Sequence, residues 1–288
     1  MSTDLEGCRV LLTGAGSGIG RSLALRLARK GAMLALVGRN EGRLADLAMA
    51  IRAEGGSAYP FVFDLALPSG QESLVSDVMA HLGGIDVLVN NAGISGFCEF
   101  SRQEPEEIES LVGTNISGPV LLTRAVLPHF MGKNSGRIVN VGSTFGSVGF
   151  GHFSVYSATK FALRGFSEAL RRELDHTGIG ITYVAPRATR TSLNSDAVIQ
   201  LNERTGVFMD EADEVARIIV LAMTGRWRDH YIGWPERILV GLNGLFPGLV
   251  DIVLRKSNRI ARDLASMPAK AWKSGNVRYY ADFRKKAK

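Results

Sequence analysis

Between an apolar run at Arg9–Thr13 and an amphipathic stretch at Gly18–Lys30 stands Thr-Gly-Ala-Gly-Ser-Gly-Ile-Gly, residues 13–20, with four glycines in eight positions. No other feature restricts the fold as strongly. A strand that becomes a helix within so short a turn needs backbone freedom. Glycines there also let a phosphate approach the main-chain N–H groups at the positive end of the helix dipole. Thr13, Gly14, Gly16, Ser17, Gly18, Ile19 and Gly20 are therefore candidate dinucleotide contacts. Glycines at such spacing recur by chance, so the reading depends on what surrounds the turn.

Around it runs a regular alternation. Strand-like apolar runs at Arg9–Thr13, Met33–Val37, Ala58–Phe63, Ile85–Val89, Gly136–Val141, Gly180–Val184 and, more weakly, His230–Ile232 are separated by amphipathic segments of helix length. Those segments are Gly18–Lys30, Glu41–Glu54, Pro68–His81, Pro105–Met131, Phe153–His176 and Glu211–Thr224. The pattern predicts an α/β fold: one Rossmann-type, doubly wound parallel sheet of about seven strands with helices on both faces. Right-handed crossovers would put a ligand at the carboxyl ends of the strands, where the strand order reverses. Residues 1–234 are expected to form this domain, with 186–210 as a polar, irregular binding loop and 235–288 as an apolar, then basic, extension.

Composition narrows the class. With 45% hydrophobic and 22% charged residues among 288, the chain has enough apolar material for a large core and is not disordered. Cys8 and Cys98 offer neither a disulfide framework nor a CxxC knuckle, so a reducing compartment and no metal are expected. No signal-peptide pattern opens the chain and no uninterrupted apolar run is long enough to span a bilayer, which makes a cytoplasmic location the expectation. The net charge of +6 is local: residues 255–288 hold eleven basic side chains against Asp263 and Asp282, and the rest is slightly acidic. Nucleic acid is not the expected partner of that tail, because Tyr279 and Tyr280 are its only paired aromatics.

At the end of the second strand stand Gly38, Arg39 and Asn40, with no carboxylate to receive ribose hydroxyls. Arginine there can stack on adenine and pair with a 2′-phosphate, which favours NADP(H) over NAD(H); a solvated loop arginine is the plainer alternative. Asp64, followed by Leu65, either accepts from the adenine amino group or caps its own turn.

Further along come Asn90-Asn91-Ala92-Gly93, Asn115, Ser143, and Tyr156 with Lys160 four residues on. In this order, with the glycine turn, they resemble the short-chain dehydrogenase/reductase family over roughly residues 5–235. The resemblance implies an oxidoreductase interconverting a carbonyl and an alcohol. Tyr156 would act as general acid/base and Lys160 would lower the phenol pKa while holding ribose hydroxyls. Ser143 would orient the carbonyl, and Asn115 would anchor a water relaying protons to Lys160. Asn91, Ala92 and Gly93 would border the cofactor, with Asn90 nearby and not catalytic, and a homodimer would form through helices 105–131 and 153–176. The alternative from another class is a catalytically silent NADP(H)-sensing protein.

Two segments depart from the family pattern. The family's Pro-Gly followed by threonine is Pro186, Arg187 and, later, Thr191; the arginine could narrow the pocket, pair with an anionic substrate, or point to solvent. The C-terminal segment from Pro235 either packs on its own domain or on a partner subunit and walls the substrate pocket, or lies in a membrane interface. Substrate contacts are expected from Phe97, Phe145, Phe150, Phe153, Phe208 and Met209, and an aromatic lining of this kind suits a lipophilic carbonyl compound. His152 reads as an ordinary loop histidine.

Overall fold

The computed structural model describes residues 5–225 and 228–266, so most of the basic tail, with Tyr279 and Tyr280, lies outside the described residues. The chain runs β1 (Arg9–Thr13), α1 (Gly18–Ala28), β2 (Met33–Gly38), α2 (Glu41–Ala53), β3 (Ser57–Val62), α3 (Gln71–Leu82) and β4 (Val87–Asn90). Then follow α4 (Pro105–Val112), α5 (Gly118–Gly132), β5 (Gly136–Val141), α6 (Ser154–Glu173) and β6 (Ile179–Ala185). The last third holds β7 (Thr189–Arg190), α7 (Asp196–Thr205), β8 (Asp210–Glu211), α8 (Ala212–Thr224), β9 (Asp229–Tyr231), α9 (Trp234–Leu245) and α10 (Pro247–Ala265).

Seven strands form one parallel sheet in the order β3-β2-β1-β4-β5-β6-β9, as the alternation predicted. Its strands read as continuous apolar runs because both faces are covered. Val10 and Leu12 of β1, with Leu34 and Leu36 of β2, pack with α1, α2 and α8; Leu11, Ala35 and Val37 point the other way, into a core with α3, α5 and α6. The side-chain period of two thus sorts one strand into two cores. The order reverses between β1 and β4, which opens a crevice at the carboxyl end of β1, where the glycine turn begins.

Three expectations need correction. The single helix 105–131 is two helices, α4 and α5, joined by a π-helical turn at Gly113–Ser117. Gly118 at its end sits so close to Leu65 that a side chain there would strike the Leu65 carbonyl. The segment 186–210 is not an irregular loop: it carries α7 and a two-stranded parallel ladder pairing Thr189 with Asp210 and Arg190 with Glu211. Helix α3 starts at Gln71, not Pro68, because Gly70 before it adopts φ 100°. The C-terminal α9 and α10 turn back over the sheet's ligand edge, where Ala261 and Leu264 pack with Phe153, Val198 and Leu201.

Candidate active site

The glycine turn is shaped for a tight crossing. Gly14 takes φ +66°, and a Cβ on it would lie 2.7 Å from the Ala92 backbone, while one on Gly20 would collide with the Gly14 carbonyl oxygen. Below the turn Thr13 is fully buried. Its hydroxyl accepts the Asn91 and Ala92 N–H groups, each at 3.0 Å, and donates to Val89 O at 3.2 Å, so β1 and β4 are locked at the crevice. The Asn91 amide reinforces this by donating to Thr13 O at 2.9 Å. Ser17 precedes α1 without making a side-chain cap, and no acidic residue stands in the first helical turn. Main-chain donors and a positive dipole end therefore face the crevice.

A cavity of about 480 Å³ fills this space. It is bordered by Gly14, Gly16, Ser17, Gly18, Ile19 and Gly20, by Gly38, Arg39 and Asn40, by Asp64 and Leu65, and by Asn91, Ala92, Gly93 and Thr191. The residues fit an elongated dinucleotide: a cradle without side chains at its centre and two cations, Arg39 and Arg43, at one end. Arg43 gives no signal in the strand-end pattern, because it lies one helical turn further on, in the first turn of α2. Asn40 borders the cavity while its Oδ1 accepts Arg43 N at 2.9 Å, capping α2. Asp64 Oδ1 accepts Ala66 N at 3.0 Å, the turn-capping alternative, and the residue also lines the cavity. Thr13 and Asn90 stand beneath it. Asn90 is buried, donating to Asn140 Oδ1 at 2.9 Å and Thr123 Oγ1 at 3.1 Å, and helps hold the sheet to α5.

A second cavity of about 280 Å³ adjoins the first and shares Ile19, Asn91, Gly93, Thr191 and Leu193 with it. Ser143, Tyr156, Lys160 and Pro186 all border this second space. Ser143 stands two residues after β5 in extended backbone, and its Oγ accepts Phe145 N at 3.1 Å. Tyr156 and Lys160 lie on one face of α6, four residues apart, and the ammonium sits 5.8 Å from the Tyr156 ring centroid. Lys160 Nζ also donates to Val141 O at 3.3 Å. Asn115, in the π turn, does not line either cavity. Its Oδ1 accepts Ile94 N at 2.9 Å and its Nδ2 donates to Ile94 O and Thr159 Oγ1, so the amide braces the loop after β4 against α6. A Cβ at Gly93 would meet both Asn115 Oδ1 and Lys160 Nζ at 3.4 Å, which shows how closely the two groups converge. A π turn at such a place is a common mark of a functional site.

The Tyr156 ring is flanked by Phe145 and Phe153, each centroid 6.2 Å away. Burial among these rings pushes its phenol pKa up, and only hydrogen bonding with Ser143 opposes this. The expected lowering by Lys160 is therefore not found in this structure. The same burial pulls Lys160 down to about 8, since a charged ammonium is poorly solvated there.

Phe145, Phe150 and Phe153 line the second cavity, with Phe145 and Phe150 stacked at 5.3 Å. Phe97 does not: it packs behind Phe153 at 5.0 Å, with His152 beside it. Phe208 is 65% exposed and Met209 is buried, and neither borders the cavity. Arg187 does border it, but its charge is spoken for. It reaches Asp210 with two nitrogens, Nε and Nη2, at 2.9 Å each and Glu236 at 3.4 Å, and it lies 4.8 Å from the Phe208 ring centroid. The solvent-pointing alternative is overturned by these contacts. The segments expected as substrate loop and as pocket wall do border it, as helices α7 and α9–α10: Val198, Leu201, Leu239, Val240 and Leu254 all line it.

A family model described as short chain dehydrogenase matches residues 9–202. A ketoacyl reductase, HetN, of Nostoc sp. is 37% identical over 88% of this chain and 85% of its own length. Dehydrogenase/reductase SDR family member 7B of Bos taurus is 34% identical over 83% of this chain and 78% of its own. Among solved structures, a metagenomic short-chain oxidoreductase in complex with NADP superposes with TM-score 0.68 at 28% identity, covering 80% of this chain and 97% of that one. One from Burkholderia phymatum in complex with NAD reaches TM-score 0.78 at 24% identity over 88% and 96% of the two chains, a likeness of fold.

Proposed function

The chain belongs to the short-chain dehydrogenase family, and from that premise we propose that it is an NADP(H)-dependent oxidoreductase interconverting a lipophilic ketone or aldehyde and the matching alcohol. The observation that carries the reading is the convergence of Ser143, Tyr156 and Lys160 on a cavity continuous with the glycine-lined cradle.

When bound, the nicotinamide ring supplies or accepts the hydride. The protein's side chains do the rest. The Ser143 hydroxyl holds the substrate oxygen, and the Tyr156 hydroxyl gives its proton to that oxygen in reduction or takes one in oxidation. The Lys160 ammonium offers its donors to the ribose hydroxyls of the bound nucleotide, and Asn115 keeps the loop carrying Gly93 and Ile94 braced against α6 next to Lys160. Phe145, Phe150 and Phe153 exclude water from the reacting atoms.

NADP(H) over NAD(H) is supported by Arg39 and Arg43 at one end of the larger cavity and by the lack of a carboxylate at Gly38–Asn40. A lipophilic substrate is supported by the aromatic and aliphatic lining, and the ketoacyl reductase among the relatives agrees with a fatty acyl carbonyl. A homodimer through α4–α5 and α6 is supported by the exposed apolar side chains Val112, Met131 and Phe161 on those helices. Following NADPH and NADH consumption against carbonyl compounds graded in chain length and ring size tests the reading. NADPH turnover rising with hydrophobicity is expected, and turnover with NADH alone would remove the cofactor assignment.

A further inference from the structure

Helices α9 and α10 form a wall one helix thick with two unlike faces. Inward, Leu239, Val240 and Leu254 line the smaller cavity and Val250 is buried. Outward, Trp234, Leu245, Phe246, Leu249, Ile252 and Val253 are each between 54% and 74% exposed. Spacing explains the division: Leu249, Ile252, Val253 and Lys256 recur at i, i+3, i+4 and i+7, a continuous stripe on α10, and Ile238, Leu242 and Leu245 form a second stripe on α9. Single exposed apolar side chains are ordinary on a protein surface, whereas a contiguous patch marks contact with something.

We propose that this outer face docks on a lipid bilayer surface bearing anionic headgroups. Charge complementarity selects that occupant. Arg255, Lys256, Arg259 and Arg262 are exposed on α10 beyond the apolar stripe, and residues 267–288 add seven basic side chains against one acidic. Basic side chains beside a shallow apolar face suit phosphate headgroups above acyl chains. A second copy meeting this face across a two-fold axis would instead crowd like charges together. Trp234 adds an aromatic ring of the kind that settles at the headgroup level. No helix among the described residues is long and apolar enough to cross a membrane, so the face lies on the bilayer and does not span it. The docking inference rests on exposure and charge alone. Its use, passing a lipophilic carbonyl compound from bilayer to cavity through the α9–α10 wall, rests on the function proposed above.

The full-length protein is to be floated with vesicles of phosphatidylcholine plus phosphatidylglycerol and with vesicles of phosphatidylcholine alone. Flotation with the anionic vesicles, weakening as salt is raised, is expected. A Leu245→Ser/Leu249→Ser/Ile252→Ser variant is expected to partition about 100-fold more weakly while retaining NADPH binding. An Arg255→Ala/Lys256→Ala/Arg259→Ala variant is expected to lose about 100-fold of the preference for anionic vesicles. Absence of flotation by the wild type, or undiminished flotation of the serine variant, overturns the proposal. So does a wild-type dimer in sedimentation that the serine variant breaks without any vesicle binding, which would assign the face to a second copy. Flotation needs no turnover, so its failure and failure of the enzymatic reading are separate results.

Discussion

Arg187 and Asp210 form a two-pronged ion pair, both N···O distances 2.9 Å, with only 17% and 9% of the respective side chains exposed. The pair ties the segment after β6 to the strand before α8, and Glu236 extends it to the first turn of α9. Two walls of the smaller cavity, the segment after β6 and α9, are thus tied to each other and to β8 by one guanidinium whose charge is matched by two carboxylates.

Replacing Arg187 with glycine should raise KM about tenfold for a neutral and a carboxylate-bearing substrate alike, because the arginine has no unmatched charge to offer an anion. Leaving Asp210 without its partner should also cost about 1–3 kcal/mol in urea unfolding. Steady-state kinetics on the two substrates checks the first outcome; a selective loss on the carboxylate alone would contradict it.

Lys160 gives a pH dependence with a definite sign. Its folded pKa, about 8, lies below the unfolded value of 10.5, so burial of the ammonium weakens the fold fully below about pH 8 and the penalty fades as pH rises towards 10.5. Lys160→Met should therefore stabilise the protein by about 1–3 kcal/mol at pH 7 and by little above pH 10, while abolishing turnover. In the wild type, kcat/KM for carbonyl reduction should fall as pH rises through about 8, when the ammonium loses its proton. Denaturation midpoints and a pH–rate profile measure these separately.

The sheet, and the meeting of Ser143, Tyr156 and Lys160 at one cavity, were legible because each depends on local pattern. β1 alternates Val10, Leu11 and Leu12 between two cores, and Tyr156 with Lys160 needs only a helical period to share a face. What was hidden depends on distant contacts or on short elements. The ten residues of α7 carry Ser195 as N-cap, accepting Val198 N at 3.4 Å, and Gly206 at φ +69° as the stop. With Ala197, Val198 and Leu201 as its buried residues in a ten-residue stretch that ends polar, the segment reads as loop until α10 supplies a surface against Val198 and Leu201. The partners of Arg187 stand 23 and 49 residues away, beyond any sequence window. The effect of burial on Tyr156 likewise needed the positions of Phe145 and Phe153.

Thr13 holds the crevice through three hydrogen bonds of one hydroxyl. Thr13→Val keeps the shape, leaves the Ala92 N–H unpaired and reduces Asn91 N–H to its 3.1 Å bond with Val89 O, which should cost about 1–3 kcal/mol in stability and weaken NADPH binding. Thr13→Ser should retain most of both. Urea titration and nicotinamide fluorescence are the readouts.

Arg39→Asp should shift the ratio of NADPH to NADH efficiency by about a hundredfold towards NADH, since a carboxylate repels a 2′-phosphate and receives ribose hydroxyls. A ratio unmoved by the change would return Arg39 to the role of a loop residue.

In the proposed function Tyr156 carries the proton of a nicotinamide-linked carbonyl reaction, and single-turnover NADPH oxidation by Tyr156→Phe, on the carbonyl substrate most active with the wild type, reads that role alone. NADPH binding should be unchanged and the rate lower by about 100-fold or more. A rate equal to that of the wild type would contradict it.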